Sequence, residues 1–247
     1  MLKLKKYMKL NLNIAKLRGT VFTQQINYSP EIVKELSDVL PGFLPSFVQN
    51  VVSGPIPNPV IPFPWELMNP TTGERIQFNN IKIDIIQSKE VPYKEETISE
   101  FTKHCSEVFC RILEITGQSA SRLAIAPTLI CIDDPGKISQ FAQSVYVRNS
   151  FNGAMVDNCV FNNVFRTEEK IAEKNYRMNY LANFYVVNRV VNVVGQNTVR
   201  ESIAVDFDIN TFVNNEYVFR KLEIEAFFMK ASSMSQSFFD FYFGGEL

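Results

Sequence analysis

Residues 73–86 read GERIQFNNIKIDII, residues 97–117 read TISEFTKHCSEVFCRILEITG, and residues 121–133 read SRLAIAPTLICID. In the first block Ile76 and Phe78 alternate with polar neighbours. After the Asn79-Asn80 turn, Ile81, Ile83 and Ile85 alternate against Lys82 and Asp84. Period two predicts strands with one buried face. In the second block Thr97 and Glu100 have the spacing of a capping box, so a helix is expected to start there. Ile98, Phe101, Cys105, Val108, Ile112 and Ile115 fall on one stripe of that helix, and Gly117 suits a left-handed C-terminal cap. The third block, with Leu123, Ile125, Leu129 and Cys131 in alternation and little charge before Asp133, predicts a well-buried strand. Pro127 inside it implies a bulge or an edge at that point.

Outward from this core the same periodicities continue. Leu10, Leu12 and Ile14 alternate with Asn11 and Asn13, as in an edge strand, and a further strand is expected through Gly19 to Gln25. Ser29-Pro30-Glu31 supplies an N-cap, a proline at the first helical position and an early acid, ahead of Ile32, Val33, Leu36, Val39 and Leu40. Phe47–Val52 reads as a short helical segment. Pro55, Pro57, Pro59, Pro62 and Pro64 make residues 53–64 an extended connector. Trp65 opens a strand to Met68 and is expected to be a core anchor.

No proline follows Pro135. Short helices are expected at Ile138–Val145 and at Thr167–Lys174. A long hairpin is expected over 176–210, with Tyr176, Met178, Tyr180, Ala182, Phe184 and Val186 on one face and a turn at Gly195-Gln196-Asn197. A last helix starting at Asn215-Glu216 carries Ile224, Phe227, Ala231, Met234, Phe238 and Phe241, and is stopped by Gly244-Gly245. The expected fold is α+β, an antiparallel sheet packed on one face by two long amphipathic helices. The segments 1–134 and 135–247 are either two similar halves, each a hairpin followed by a helix, or one continuous domain. An internal duplication would align Ile83-Asp84-Ile85 with Phe207-Asp208-Ile209.

With 247 residues, 46% hydrophobic content and 21 Phe, the chain can bury a large core. Its net charge of -1 provides no general attraction to nucleic acid or acidic membranes, although residues 1–20 hold six basic groups and no acid. No apolar run suggests a signal peptide or a membrane span, and a cytoplasmic location is the expectation. Cys105, Cys110, Cys131 and Cys159 are widely spaced and read as buried thiols.

Trp65-Glu66-Leu67, the turn at Gly73, the hairpin from Ile76 to Ile85, the helix after it, Arg122-Leu123-Ala124-Ile125, Ile132-Asp133, Ile203 to Asp208 and Phe227 to Phe239 together resemble a sporadically distributed bacterial family of unknown function. The resemblance covers nearly the whole chain. It implies bacterial origin and a patchy distribution linked to mobile elements or defence, and it supplies no agreed activity.

The residues offer three functional classes. The first is a non-catalytic binding or assembly protein with a protein partner, encoded nearby, or a second copy of itself. Phe219, Leu222, Met229 and Phe239 lie outside the main stripe of the last helix, and Phe238, Phe241 and Arg122 are the candidate partner-binding residues. The second is nucleic-acid binding through the basic N-terminus with Asn179, Asn183 and Tyr185 on the long strand. The third is a Mg²⁺-dependent enzyme, in which Asp206 and Asp208 point to one face of a strand and hold the ion with Asp84 or Asp133. Arg122 with Asp133 is alternatively an ion pair. His104, the only histidine, reads as a boundary residue of its helix, and no glycine-rich phosphate loop occurs. No cofactor is expected, and protein binding is the leading expectation.

Overall fold

The computed structural model describes residues 10–47, 64–132, 150–151, 154–155, 161–193, 196–214 and 216–243. The fold is α+β. Twelve strands and three helices are described: β1 (Leu12–Phe22), α1 (Pro30–Val39), β2 (Leu44–Phe47), β3 (Trp65–Met68), β4 (Arg75–Asn79), β5 (Lys82–Gln87), β6 (Val91–Pro92), α2 (Glu95–Thr116), β7 (Arg122–Cys131), β8 (Ser150–Phe151), β9 (Ala154–Met155), β10 (Phe161–Ile171), β11 (Lys174–Val193), β12 (Gln196–Thr211) and α3 (Lys221–Phe243). Among the described residues β8 and β9 pair only with each other. The rest form one antiparallel sheet in the order β10-β11-β12-β7-β1-β5-β4-β3-β2, with β6 also beside β1.

The order mirrors itself about the central β1–β7 pair. On one side stand β5, β4 and β3, a meander that leads into α2. On the other stand β12, β11 and β10, a meander that leads into α3. The register agrees, because Lys16 pairs with Thr128, Arg18 with Ala126 and Thr20 with Ala124, which places a pseudo-two-fold axis at Arg18 and Ala126. Residues 117–121 join α2 to β7 between the two meanders, and both belong to one continuous sheet.

Both helices lie on one face, where Leu17, Val21, Ile83, Ile85, Leu123, Ile125, Val205, Phe207 and Ile209 point. Phe109 of α2 meets Phe228 of α3 with ring centroids 5.4 Å apart, and Tyr93 stacks on Phe239 at 4.3 Å. The fully buried rings of Phe109, Phe228 and Phe239 each contribute about 1.5–3 kcal/mol. At the far edge Trp65 stacks on Phe78 at 3.8 Å, and its indole N–H donates to the Ile26 carbonyl at 3.0 Å, as a core anchor requires. Cys105, Cys110 and Cys131 are buried, and Cys159 lies outside the described residues.

Helix ends follow their caps with two exceptions. The Ser29 hydroxyl accepts from the Ile32 N–H at 3.2 Å to start α1, and Gly117 at φ 64° closes α2. The expected capping box is not the start of α2, which begins two residues earlier at Glu95 with Lys94 at the cap position and no side-chain cap bond. Nor does α3 start at Asn215-Glu216. Phe219, fully buried against Tyr176, first makes a bridge to Ala120 that holds the chain extended, and the helix begins at Lys221.

Other expectations are corrected by pairing. Leu10 to Gln25 does not form an edge strand and a second strand; residues 12–22 are one central strand flanked by β7 and by β5 and β6. Thr167–Lys174 is not a helix. Residues 161–171 pair with β11, and the chain reverses at Ala172, whose φ is 52°. Gln196 and Asn197 pair with Val193 and Asn192 and are not turn residues. Phe47 closes β2, opposite Trp65, and does not start a helix; residues 48–52, the connector up to residue 63, the expected helix at 138–145 and Gly244-Gly245 lie outside the described residues. Among the described residues no helix is long and apolar enough to cross a membrane.

Candidate functional site

The face of the sheet opposite the helices is polar, and its side chains form rows across the strands. In the first half Thr20, Asp84, Gln77 and Glu66 stand side by side on β1, β5, β4 and β3. In the second half Thr128, Asp206, Asn183 and Asn162 do so on β7, β12, β11 and β10. The threonine hydroxyl donates to the aspartate at 2.6 Å in both. Asp84 thus holds the place in its meander that Asp206 holds in the other, and an internal duplication would align Ile83-Asp84-Ile85 with Val205-Asp206-Phe207, two residues from the expected register.

The equivalent aspartates differ in their surroundings. Asp84 is 3% exposed, and besides Thr20 it holds the Lys82 ammonium at 2.7 Å and the Asn79 amide at 3.0 Å. Ala204 stands where Lys82 would be in the second half, and Tyr185 where Asn79 would be. Asp206 is half-buried, and beside it burial and the carboxylate push the Tyr185 phenol up to about 12.

Space opens at that difference. A cleft of about 450 Å³ is lined by Lys16, Arg18, Thr128, Asn183, Tyr185, Asp206 and Asp208 among others. On β7 it lies over Ala126 and Thr128, the neighbours of Pro127. The β7–β12 ladder runs to the pair Asp206–Thr128, lapses opposite the proline, which has no N–H to donate, and resumes at Ile209–Ile125. Pro127 is therefore internal to the sheet and not at an edge; the bulge lies on β1, between Ile14 and Lys16.

Asp206 and Asp208 share a face, as their spacing requires. Asp208 accepts from Asn210 at 2.9 Å, and Asn210 in turn accepts from Arg122 at 2.7 Å. Asp84 does not join them: three strand spacings, about 14 Å, separate it from Asp206. Asp133 lies outside the described residues, so its pairing with Arg122 or with a metal does too. Among the described residues no three His, Cys, Asp or Glu side chains come together as metal ligands. Arg122 also donates to the Thr211 carbonyl at 3.0 Å and lies 4.8 Å over the Phe22 ring, which ties the end of β12 to β7. Burial lowers its pKa against the pull of Asp208. Asn179 belongs to the same network, donating to Asn210 at 3.0 Å.

A second candidate surface lies on the helix side at the β10 edge. Phe241 is 56% exposed and Phe165 is 42% exposed, and their rings meet edge to face at 5.3 Å. With Tyr180, Ser237 and Phe238 they line a groove of about 270 Å³. Phe238 is its buried floor, packed on Tyr180 and Phe207, so of the two candidate phenylalanines only Phe241 faces outward. Leu222 and Met229 are exposed on α3, whereas Phe219 and Phe239 are core.

His104 is neither isolated nor at a cleft. Its Nε2 lies 2.6 Å from Glu74 Oε1, and Glu74, which is buried, also accepts from Gln87 at 2.5 Å. The hydrogen bond to Glu74 raises the histidine pKa against the effect of burial.

The sequence offered Lys16 and Arg18 only as part of the basic N-terminus, and did not single out Phe165 or Tyr180 as site residues. Alternation within β1 could have placed the two cations on one face; Phe165 was hidden by the helix expected just after it. Against known proteins, no family model matches the chain and no curated protein is significantly similar to it.

Proposed function

We propose that the protein is a non-catalytic binding or assembly component whose partner is another protein, docked along β10 and the groove beside it. The observation that carries this reading is the exposed pair Phe165 and Phe241 at the edge of the sheet. An edge strand presents a row of backbone donors and acceptors, and sheets discourage casual pairing there with charge. On β10 the charged residues are Arg166, Glu168, Glu169 and Lys170, while Phe161 to Phe165 carries none. No strand pairs with the outer side of β10 among the described residues. The fitting occupant is an extended apolar segment of a partner, hydrogen-bonded to the strand and laying a large side chain over the two phenylalanines.

Nucleic-acid binding receives less support. The helix-free face that carries Lys16 and Arg18 also carries Asp206 and Asp208, and a sheet that stacks bases needs positive charge without such interruption. A bacterial setting, which the family resemblance implies, a cytoplasmic location and a partner encoded nearby form part of the proposal.

The test is purification from the native host of wild-type protein and of the Phe165→Ser/Phe241→Ser variant, with mass spectrometry and an ultraviolet ratio for nucleic acid. The expected result is one stoichiometric protein partner with the wild type, lost from a variant whose circular dichroism is unchanged. Retention of that partner by the folded variant, or co-purification of nucleic acid alone, defeats the reading.

A further inference from the structure

From the polar cleft we infer a second, independent activity: binding of a small zwitterion, its ammonium group on Asp206 and its carboxylate on Lys16 and Arg18. The first half of the molecule contains the template. There an ammonium, that of Lys82, sits 2.7 Å from Asp84, the equivalent of Asp206. The second half keeps the threonine and the aspartate but has Ala204 in place of the lysine and Tyr185, whose phenol hydrogen-bonds to Asp206, in place of the asparagine. The internal cation is missing where the cleft opens.

The groups around it divide by charge. On the β12 side Asp206 and Asp208 are joined by Asn183, whose Oδ1 is shielded from solvent and has no hydrogen-bond partner. These are acceptors suited to the N–H groups of an ammonium. On the β1 side stand Lys16 and Arg18, which share a face and form no ion pair with another described residue; the shielded Arg18 Nε has no hydrogen-bond acceptor. A half-buried cation without a counter-ion is unfavourable, and a carboxylate relieves it. Between the two walls runs β7, which contributes only Ala126 and Thr128, so the walls stand two strand spacings, about 10 Å, apart and their side chains reach inward. A cleft of about 450 Å³ has the size of a small-molecule site. An amino acid or dipeptide matches its volume, its separated charges and its orphaned donor and acceptor.

Calorimetric titration with glycine, 4-aminobutyrate and glycylglycine, in which the charges lie progressively further apart, tests the inference. At least one should bind with Kd below about 1 mM. Acetate and methylammonium, which carry one charge each, should bind at least ~10-fold more weakly, because each leaves one wall unpaired. Asp206→Asn and Lys16→Gln should each weaken the best zwitterion at least ~10-fold with circular dichroism unchanged. Absence of heat from all three zwitterions at about 10 mM overturns the inference. So does affinity that is the same in wild type and both folded variants, or methylammonium binding as tightly as the best zwitterion.

Discussion

Asp84 and Asp206 occupy equivalent places in the two halves of one sheet, each 2.6 Å from a threonine hydroxyl one strand away, yet only Asp84 is closed over by a lysine and an asparagine. Their removal should therefore have unequal effects. Asp84→Ala strips the partner from three buried or half-buried donors and should cost about 3 kcal/mol. Asp206→Ala removes the hydrogen bonds from Thr128 and Tyr185, both half-buried beside an open cleft, and should cost about 1–2 kcal/mol. Urea denaturation of the two variants measures the difference; equal losses would mean that the two aspartates do the same structural work.

Gly19 is required by the helix above it. A Cβ at this position would lie 2.5 Å from Cys105 Sγ and 3.4 Å from the Phe109 ring. Gly19→Ala should destabilise by about 1–3 kcal/mol through displacement of α2. In Cys105→Ala the obstructing sulfur is gone, so the double variant should be more stable than the sum of the singles predicts, by at least ~0.5 kcal/mol. Strict additivity in a denaturation cycle would show that the strain lies elsewhere.

Much of this architecture was readable because amphipathic period and burial agree. The stripe of α2 and the alternation of Tyr176 to Phe184 each has a single face to bury, and the sheet provides it. At Thr167, where charge follows a cap-like residue, the reading fails. Thr167-Glu168-Glu169 looks like a helix start, but Glu169 accepts from Tyr180 across the hairpin at 3.1 Å and from Lys230 of α3 at 2.5 Å, so its charge serves the sheet. The cleft was legible only in part. Asp206 and Asp208 share a face by spacing alone, whereas their meeting with Lys16 and Arg18 depends on β1 and β7 being central, which the lysine-rich N-terminus concealed. The misaligned repeat has the same origin, because two aspartates on one strand offer two registers and only the threonine partner chooses between them.

The His104–Glu74 pair makes stability depend on pH. Its folded pKa is raised above the ordinary 6.5, mainly by the hydrogen bond to Glu74. The charged histidine is thus held more tightly in the folded state, and the stabilisation is full below the unfolded value and lost as pH rises through the higher folded one. The imidazole side chain is 37% exposed, which limits the effect to about 1 kcal/mol. Unfolding free energies should fall as pH rises from the unfolded value of 6.5 through the higher folded one, and His104→Gln should flatten that part of the profile. An unchanged slope in the variant would assign the dependence to other groups.

Phe238 and Phe241, three residues apart on α3, should separate stability from recognition. Phe238 is 6% exposed and touches Phe165, Tyr180, Phe207 and Tyr242. Phe238→Ala leaves a cavity between α3 and the sheet and should cost about 3–5 kcal/mol. Phe241 gives up mostly solvent-facing contacts, so Phe241→Ala should change stability by no more than about 0.5 kcal/mol. Partner binding should respond the other way, since a buried floor acts only by holding Phe165 and Phe241 in place while Phe241 itself supplies contact. A variant at 241 that keeps the wild-type melting temperature and loses the partner places recognition on the aromatic edge. One that loses several kcal/mol would return Phe241 to the core and remove the main support for docking there.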